Sequence, residues 1–355
     1  MRIALVAPPW LALPPTGYGG IELVVASLAD ALAARGEEVL LFAPGDSHTR
    51  ARLLPTVPRH AGQGWPLELA MPFFAATSAY AYARALVEGA DLVHDHTLME
   101  TDLPVARLHT LHGPAAPEVV ARCRRIAASG RDHFVAISRR QRELYGEDLP
   151  WAGVVYNGID VAAAPFSATK DDYLLFIGRA NWEKGLDLAV RVAMRAGKRL
   201  VMAVKMTEDH ERRYYAEQVE PWLARGGRIE LRGEISPAEK FALYRDAAGT
   251  LFTSQWEEPF GLIMTESLAC GTPVLALRRG AAPEVIVDGV TGFLADDEDG
   301  LVAAVARLGE LDPRACRARV ETHFSITAMA DGYQAIYRAL RQRREQQAQA
   351  AGGGS

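Results

Sequence analysis

The sequence predicts an α/β protein made of two doubly wound, Rossmann-like units in tandem, facing each other across a cleft. Three observations lead there. Short apolar runs alternate with helical patterns along residues 3–277, which implies parallel sheets covered on both faces. The alternation lapses once, around residues 157–172, and then restarts. The length of 355 residues suits two domains better than one.

In the first series, residues 3–7 read as a strand and residues 21–35 as a helix. That helix carries Leu23, Ser27, Leu28, Ala31 and Leu32 along one stripe, with Gly36 placed to end it. Strands follow at 39–43, 92–93, 105–108, 134–137 and 154–156. Asn157-Gly158 is a turn signal and residues 162–170 have little periodicity, so the domain boundary falls there. The second series runs strand 173–177, helix 184–196, strand 200–204, helix 214–225, strand 229–231, helix 237–247, strand 250–253, helix 261–269 and strand 274–277. A closing helix at 324–340 has the stripe Met329, Tyr333, Ile336, Tyr337 and Leu340. The expected domains are residues 1–163, completed by a helix over 324–341, and residues 164–323, with a disordered tail at 342–355.

Composition excludes several classes. A net charge of −5 and a pI near 6.0 argue against a nucleic-acid binder that relies on bulk positive charge. Apolar content of 49% and a mean hydropathy of −0.03 are ordinary for a globular protein, and no apolar run approaches membrane-spanning length. Cys123, Cys270 and Cys316 are far apart and show neither metal spacing nor a disulfide framework, which fits a reducing cytoplasm. The apolar run at residues 3–7 stops at Pro8-Pro9, too short for a signal peptide.

Several motifs fall at the ends of expected strands. In Glu258-Pro259-Phe260-Gly261-Leu262-Ile263-Met264-Thr265-Glu266, Gly261 sits where a loop turns into a helix. Backbone N–H groups at such a helix start favour an anion, and the two carboxylates beside it can accept hydrogen bonds from hydroxyls. Hydroxyls plus phosphate describe a nucleotide sugar; the plain alternative is a helix with acidic residues at its start. Gly17-Tyr18-Gly19-Gly20 before the first helix reads either as a close approach to phosphate or as a flexible turn. Ile177-Gly178-Arg179 followed by Lys184-Gly185 sets two cations at a helix start, where an anion would offset them. His94 and His96 point to the same side of one strand, and His112 ends another; a metal site would need further ligands that the spacing does not supply, so no metal is expected.

Assembled, these residues resemble the retaining, nucleotide-sugar-dependent glycosyltransferases of family 4, which have the GT-B fold. The resemblance covers the chain from Met1 to about Leu340. Residues 258–274 match the signature E-P-F-G-L-x-x-x-E-x-x-A-x-G-x-P-V, and Arg179 with Lys184-Gly185 matches the G-R…K-G element. Asn157-Gly158-Ile159-Asp160, residues 280–284 and Asp288-Gly289-Val290-Thr291-Gly292-Phe293-Leu294 match three more elements. The resemblance implies that Arg179 and Lys184 bind the donor diphosphate and stabilise the leaving group. It implies that Glu258 contacts the donor sugar, with the backbone of Phe260, Gly261 and Leu262 beside it, and that Glu266 holds the ribose. Gly19 and Gly20 would let a loop close over the donor, and His112 would lie near the transferred sugar. Tyr18, His94 and His96 are acceptor-side candidates. The partners implied are a nucleotide-sugar donor, UDP-glucose or another UDP-hexose before GDP-mannose, and an acceptor the sequence does not name; no further cofactor is implied. The site of base recognition is expected near residues 232–235, and Lys205 stands where many members have Gly.

Alternatives of other kinds stay open at this point. An epimerase or a glycoside phosphorylase could use the same fold. The first-domain arginines Arg122, Arg124, Arg125, Arg131, Arg139, Arg140 and Arg142 read either as a face for anionic lipid or an anionic acceptor, or as solvated helix faces. A dehydrogenase is disfavoured because no G-x-G-x-x-G follows the first strand.

Overall fold

The structure, a computed structural model, describes residues 1–352 apart from Tyr18, Gln63 and Asp102. The chain divides into two compact units, residues 1–158 with 326–355, and residues 159–325.

Unit 1 contains β1 (Arg2–Val6), α1 (Gly20–Ala34), β2 (Glu38–Ala43), β3 (Arg52–Pro55), α2 (Leu67–Val87), β4 (Leu92–Asp95), β5 (Arg107–Leu111), α3 (Pro117–Ala127), β6 (Asp132–Ala136), α4 (Arg139–Tyr145) and β7 (Trp151–Val154). Its seven strands are parallel in the order β3-β2-β1-β4-β5-β6-β7. Unit 2 contains β8 (Tyr173–Arg179), α5 (Leu186–Arg195), β9 (Arg199–Lys205), α6 (Asp209–Tyr214), α7 (Glu220–Leu223), β10 (Ile229–Arg232), α8 (Pro237–Asp246), β11 (Gly249–Phe252), α9 (Leu262–Ala269), β12 (Val274–Leu277), α10 (Ala282–Val285), β13 (Gly292–Ala295), α11 (Glu298–Ala306) and α12 (Pro313–His323). Its six strands, also parallel, run β10-β9-β8-β11-β12-β13. In both sheets the chain works outward from the first strand, returns, and fills the other side. That reversal leaves a crevice at the carboxyl ends of β1 and β4 in unit 1, and of β8 and β11 in unit 2, the place where such sheets bind ligands.

The final helix, α13 (Ile326–Gly352), belongs to unit 1 and packs on α1. Met329, Ala330, Tyr333, Ile336, Tyr337 and Leu340 are buried along it, and Arg35 ties the two helices by donating to Asp331 at 2.8 Å and to the Thr327 carbonyl at 3.0 Å. The helix continues beyond Leu340 through residues expected to be a disordered tail, because Arg, Gln, Glu and Ala are strong helix formers. Residues 341–346 are exposed there.

Other departures have local causes. Leu28 and Leu32 of the expected α1 stripe are buried and Leu23, Ser27 and Ala31 are half-buried; burial extends instead to Glu22, Val24, Val25, Ala26 and Ala29, since the helix is covered by α13 as well as by the sheet. The expected helix at 214–225 is instead α6, a π-helical turn at Tyr215–Val219, and α7. Pro221 has no N–H to donate to the preceding turn, which widens it. β5 lies at Arg107–Leu111 rather than 105–108, because its charged residues find partners inside the unit.

Those partners form a buried chain of charge. Arg107 donates to both oxygens of Asp132, at 2.5 and 2.7 Å; His109 Nε2 lies 2.8 Å from Asp132 and Nδ1 lies 2.9 Å from Asp95. All four side chains are at most 1% exposed. Burial disfavours a charged His109, but hydrogen bonds and charge from Asp132 and Asp95 outweigh it and raise its pKa above 6.5. Burial would likewise raise Asp132, and His109 and Arg107 outweigh it and hold the carboxyl well below its usual range. Removing one carboxylate leaves uncompensated charge, so Asp132→Asn is expected to cost about 3–5 kcal/mol of unfolding free energy. His109 contributes stability that is complete below its unfolded pKa and is lost as pH rises through its raised folded value; Asp132 contributes stability that is lost as pH falls below the ordinary carboxylate range. Urea unfolding between pH 6 and 9 should therefore show a decline in stability that is flatter in His109→Gln.

Candidate functional site

In unit 2 the site is built where β8 and β11 end. β8 carries Gly178 and Arg179 at its last two positions. The turn that follows is capped by Asn181, whose side-chain oxygen accepts from the Lys184 N–H at 3.1 Å. That turn is fastened to the end of β11: the Thr253 hydroxyl donates to the carbonyls of Lys184 at 3.1 Å and Gly185 at 2.8 Å, and the Gln255 N–H donates to the Glu183 carbonyl at 2.8 Å. Gly185 makes this approach possible, since its φ is +65° and a Cβ there would lie 2.2 Å from the Thr253 carbonyl oxygen.

The loop between β11 and α9 presents Glu258. Its backbone is clamped from the far side: Ala281 N–H donates to the Glu258 carbonyl at 3.0 Å, and Gly280 N–H to the Glu257 carboxylate at 3.2 Å. Gly280 has φ +53°, and a Cβ on it would lie 2.5 Å from both the N and the O of Glu258. The Glu258 carboxylate accepts a hydrogen bond from Lys184 Nζ and another from Trp256 Nε1 at 2.8 Å. Lys184 Nζ also sits 5.1 Å from the centre of the Trp256 ring, a cation–π position. Gly261, with φ 84°, is the N-cap of α9, so the first N–H groups of that helix leave the loop beside Glu258. Phe260 is buried and packs edge-on against Phe324 at 5.9 Å between ring centres. One turn into α9, Glu266 is 3% exposed and accepts from Lys240 Nζ at 2.6 Å and the Tyr244 hydroxyl at 3.2 Å.

Arg179 is also held by carboxylates. Its Nε donates to Glu211 at 2.5 Å and one terminal nitrogen to Glu208 at 2.8 Å. Glu211 is fully buried, and its second oxygen accepts from the N–H groups of Thr207 at 2.8 Å and Glu208 at 3.0 Å. Glu211 thus fixes the guanidinium from behind by its Nε edge. The motif reading did not single out Glu211; the signal that could have found it is the Glu208-x-x-Glu211 capping box at the start of α6. Lys205, at the end of β9, pairs with Glu234 at 3.5 Å, and Arg232 donates to Glu230 at 2.8 Å.

Unit 1 sets a different group at its crevice. Gly19 caps α1 and Gly20 begins it; Tyr18 lies outside the described residues. His94 is fully buried with both ring nitrogens occupied, Nδ1 by the Tyr337 hydroxyl and Nε2 by the Thr110 hydroxyl, each at 2.7 Å. It joins α13 to the sheet rather than opening onto the crevice. His96 and His112 do sit at strand ends, with His96 Nδ1 2.9 Å from His112 Nε2. Burial pushes the His112 pKa down to about 4, and burial with neighbouring His94 pushes His96 well below 6.5, so both rings are neutral at neutral pH. Among the described residues no group of three or more His, Cys, Asp or Glu is arranged to hold a metal ion, and no helix is long and apolar enough to cross a membrane. Of the first-domain arginines, Arg124 pairs with Asp148, Arg125 with Glu100 and Arg142 with Glu147, each at 2.6–2.8 Å.

Comparison with known proteins bears on this arrangement. Residues 18–163 match the family model described as Glycosyltransferase Family 4, and residues 162–321 the model described as Glycosyl transferases group 1. A D-inositol 3-phosphate glycosyltransferase from Acidothermus cellulolyticus is 29% identical over 88% of this chain and 83% of its own length. A glycogen synthase from Mycobacterium tuberculosis is 32% identical over 56% of this chain and 52% of its own. Among solved structures, AviGT4, a glycosyltransferase involved in avilamycin A biosynthesis, superposes with a TM-score of 0.70 at 26% identity, covering 96% of this chain and 98% of that one. Two doubly wound units, the signature loop at the β8/β11 crevice and family matches that follow one another along the sequence make this chain a GT-B glycosyltransferase of family 4.

Proposed function

We propose that this chain transfers a hexosyl group, with retention of configuration, from a nucleotide diphosphate sugar to an acceptor hydroxyl, with a UDP-hexose such as UDP-glucose as donor ahead of GDP-mannose. The observation that carries the reading is the convergence of Arg179, Lys184, Glu258 and the start of α9 on one crevice of unit 2. Two cations and a helix start suit a diphosphate, and a carboxylate beside them suits sugar hydroxyls. In the proposed step the bond between the sugar C1 and the diphosphate oxygen breaks, and the electron pair leaves with the diphosphate. Arg179 and Lys184 stabilise the charge that grows there. The acceptor oxygen bonds to C1 from the same face, and its proton passes to a phosphate oxygen of the leaving group. No side-chain nucleophile is required, unlike the retaining hydrolases that use a carboxylate pair. Glu258 orients the sugar, Phe260, Gly261 and Leu262 supply the backbone beside it, Glu266 holds the ribose, and Gly19, Gly20 and His112 act from unit 1.

A thermal-shift panel of UDP, GDP and ADP should single out UDP. Ligand at about 100 times its Kd adds about 2.7 kcal/mol to apparent stability, a shift of several degrees. Arg179→Ala is expected to lower kcat by about 10²–10³-fold, the scale of losing a charge-stabilising donor. Near-normal turnover in that variant would sink the assignment. Glu211→Gln keeps the side-chain shape and one acceptor oxygen, so the bonds from the Thr207 and Glu208 N–H groups can persist while the amide nitrogen replaces the oxygen that Arg179 donates to. It should lower kcat about 10- to 100-fold, as loss of an orienting partner does, with a smaller change in donor KM. Unchanged kcat would reduce Glu211 to a helix cap.

A further inference from the structure

At the carboxyl edge of the unit 1 sheet, among the described residues, the Glu22 carboxylate has no side-chain partner and the His96 ring has one nitrogen without one, and the two share one face. Glu22 stands in the first turn of α1, on the stripe with Val25, Ala29 and Leu32, which are all 0% exposed. It is 6% exposed, and its carboxylate meets only its own backbone N–H among the described residues. Burial raises its pKa, with no cation to oppose the shift. His96 follows β4, the strand beside β1, and donates its backbone N–H to the Val6 carbonyl at 3.0 Å. Its ring lies 4.2 Å from that of His94, whose contacts with Tyr333 and Tyr337 place both rings on the side covered by α13. Since α13 packs on α1, Glu22 and His96 lie on the same side of the sheet, one after β1 and the other after β4. His96 is 5% exposed, and its Nε2 has no hydrogen-bond partner among the described residues.

We propose that Glu22 and His96 form an acceptor subsite for an uncharged, polyhydroxylated molecule. This rests on the reading of the chain as a glycosyltransferase and adds the class of acceptor. An unpaired buried carboxylate offers acceptor oxygens for hydroxyl donors. The neutral ring adds one more donor or acceptor: whichever proton arrangement joins His96 Nδ1 to His112 Nε2, the free Nε2 remains available. A phosphate ester at the same place would set a second anion against Glu22 with little water to screen it, and Coulomb repulsion and desolvation both oppose that. Leaving a carboxylate buried and unpaired is unfavourable for folding, as expected of a position kept for a ligand.

Saturation-transfer NMR on the full chain, without nucleotide, tests this. The probes are glucose, maltose and myo-inositol, against glucose 6-phosphate and myo-inositol 1-phosphate. The expected result is saturation of at least one neutral probe and none of the phosphate esters. Glu22→Ala should weaken the neutral probe about tenfold or more, the loss of a hydrogen bond to a charged group. Glu22→Gln, which keeps the shape and one acceptor oxygen, should retain part of the binding, admit the phosphate esters and raise Tm. Preference of the wild-type chain for the esters, no binding of any neutral probe, or full binding in Glu22→Ala overturns the proposal. A missing nucleotide thermal shift would instead strike the transferase reading, so the two failures are distinguishable.

Discussion

The site of unit 2 is organised around positive charge that the protein neutralises itself. Arg179 and Lys184 stand near the starts of α5 and α9, where helix dipoles already oppose cations. Each is met by a carboxylate: Glu211 and Glu208 for the first, Glu258 for the second. The surrounding backbone then follows from the need to hold these pairs. The capping box of α6 places Glu211, the Thr253 staple places Lys184, and the Gly280 contact places Glu258. A cation left without such partners in a partly buried crevice would be costly to desolvate.

The two units share a topology and differ in chemistry. Both sheets reverse strand order and so make a crevice at the same edge. Unit 2 fills its crevice with exchangeable charge. Unit 1 buries its charge deeper, in the chain from Arg107 through Asp132 and His109 to Asp95, and leaves neutral rings at the rim. The inner network lies one residue step from the rim: Asp95 precedes His96, and neighbouring β-strand residues point to opposite faces of a sheet. Rigidity on one face therefore fixes the position of the rings on the other.

Much of the frame was legible in the sequence because apolar strands and glycine turns are local signals. β1, β2, β8, β9, β11 and β12 appear close to the expected places, and the signature loop sits at a strand end as its glycines suggest. Other elements were silent for physical reasons. α2 is apolar on both faces, so no stripe stands out, and β3 is a partly exposed edge strand closed by Pro55. His109 was overlooked because a charged residue in a buried strand makes sense only once Asp95 and Asp132 are placed beside it, and that pairing joins residues far apart in sequence. Glu22 was passed over for the same reason: a glutamate in a first helical turn looks like a dipole partner until its burial is known.

The Lys184–Glu258 pair has a consequence for the order of events on the proposed reading. While Lys184 is bound to Glu258, that carboxylate has one acceptor oxygen occupied by both Lys184 and Trp256. A diphosphate competes for Lys184 with two charged oxygens against one carboxylate, and its arrival frees Glu258 to accept from sugar hydroxyls. The nucleotide portion of the donor then prepares the sugar-binding group, and a free sugar meets a carboxylate already engaged. Arg179 differs in kind. Its Nε edge stays with the buried Glu211 while the bond to exposed Glu208 can be exchanged. On the proposed reading one cation would be released from its carboxylate by the donor and the other only redirected, so that the geometry of Arg179 would be preset and that of Lys184 acquired on binding.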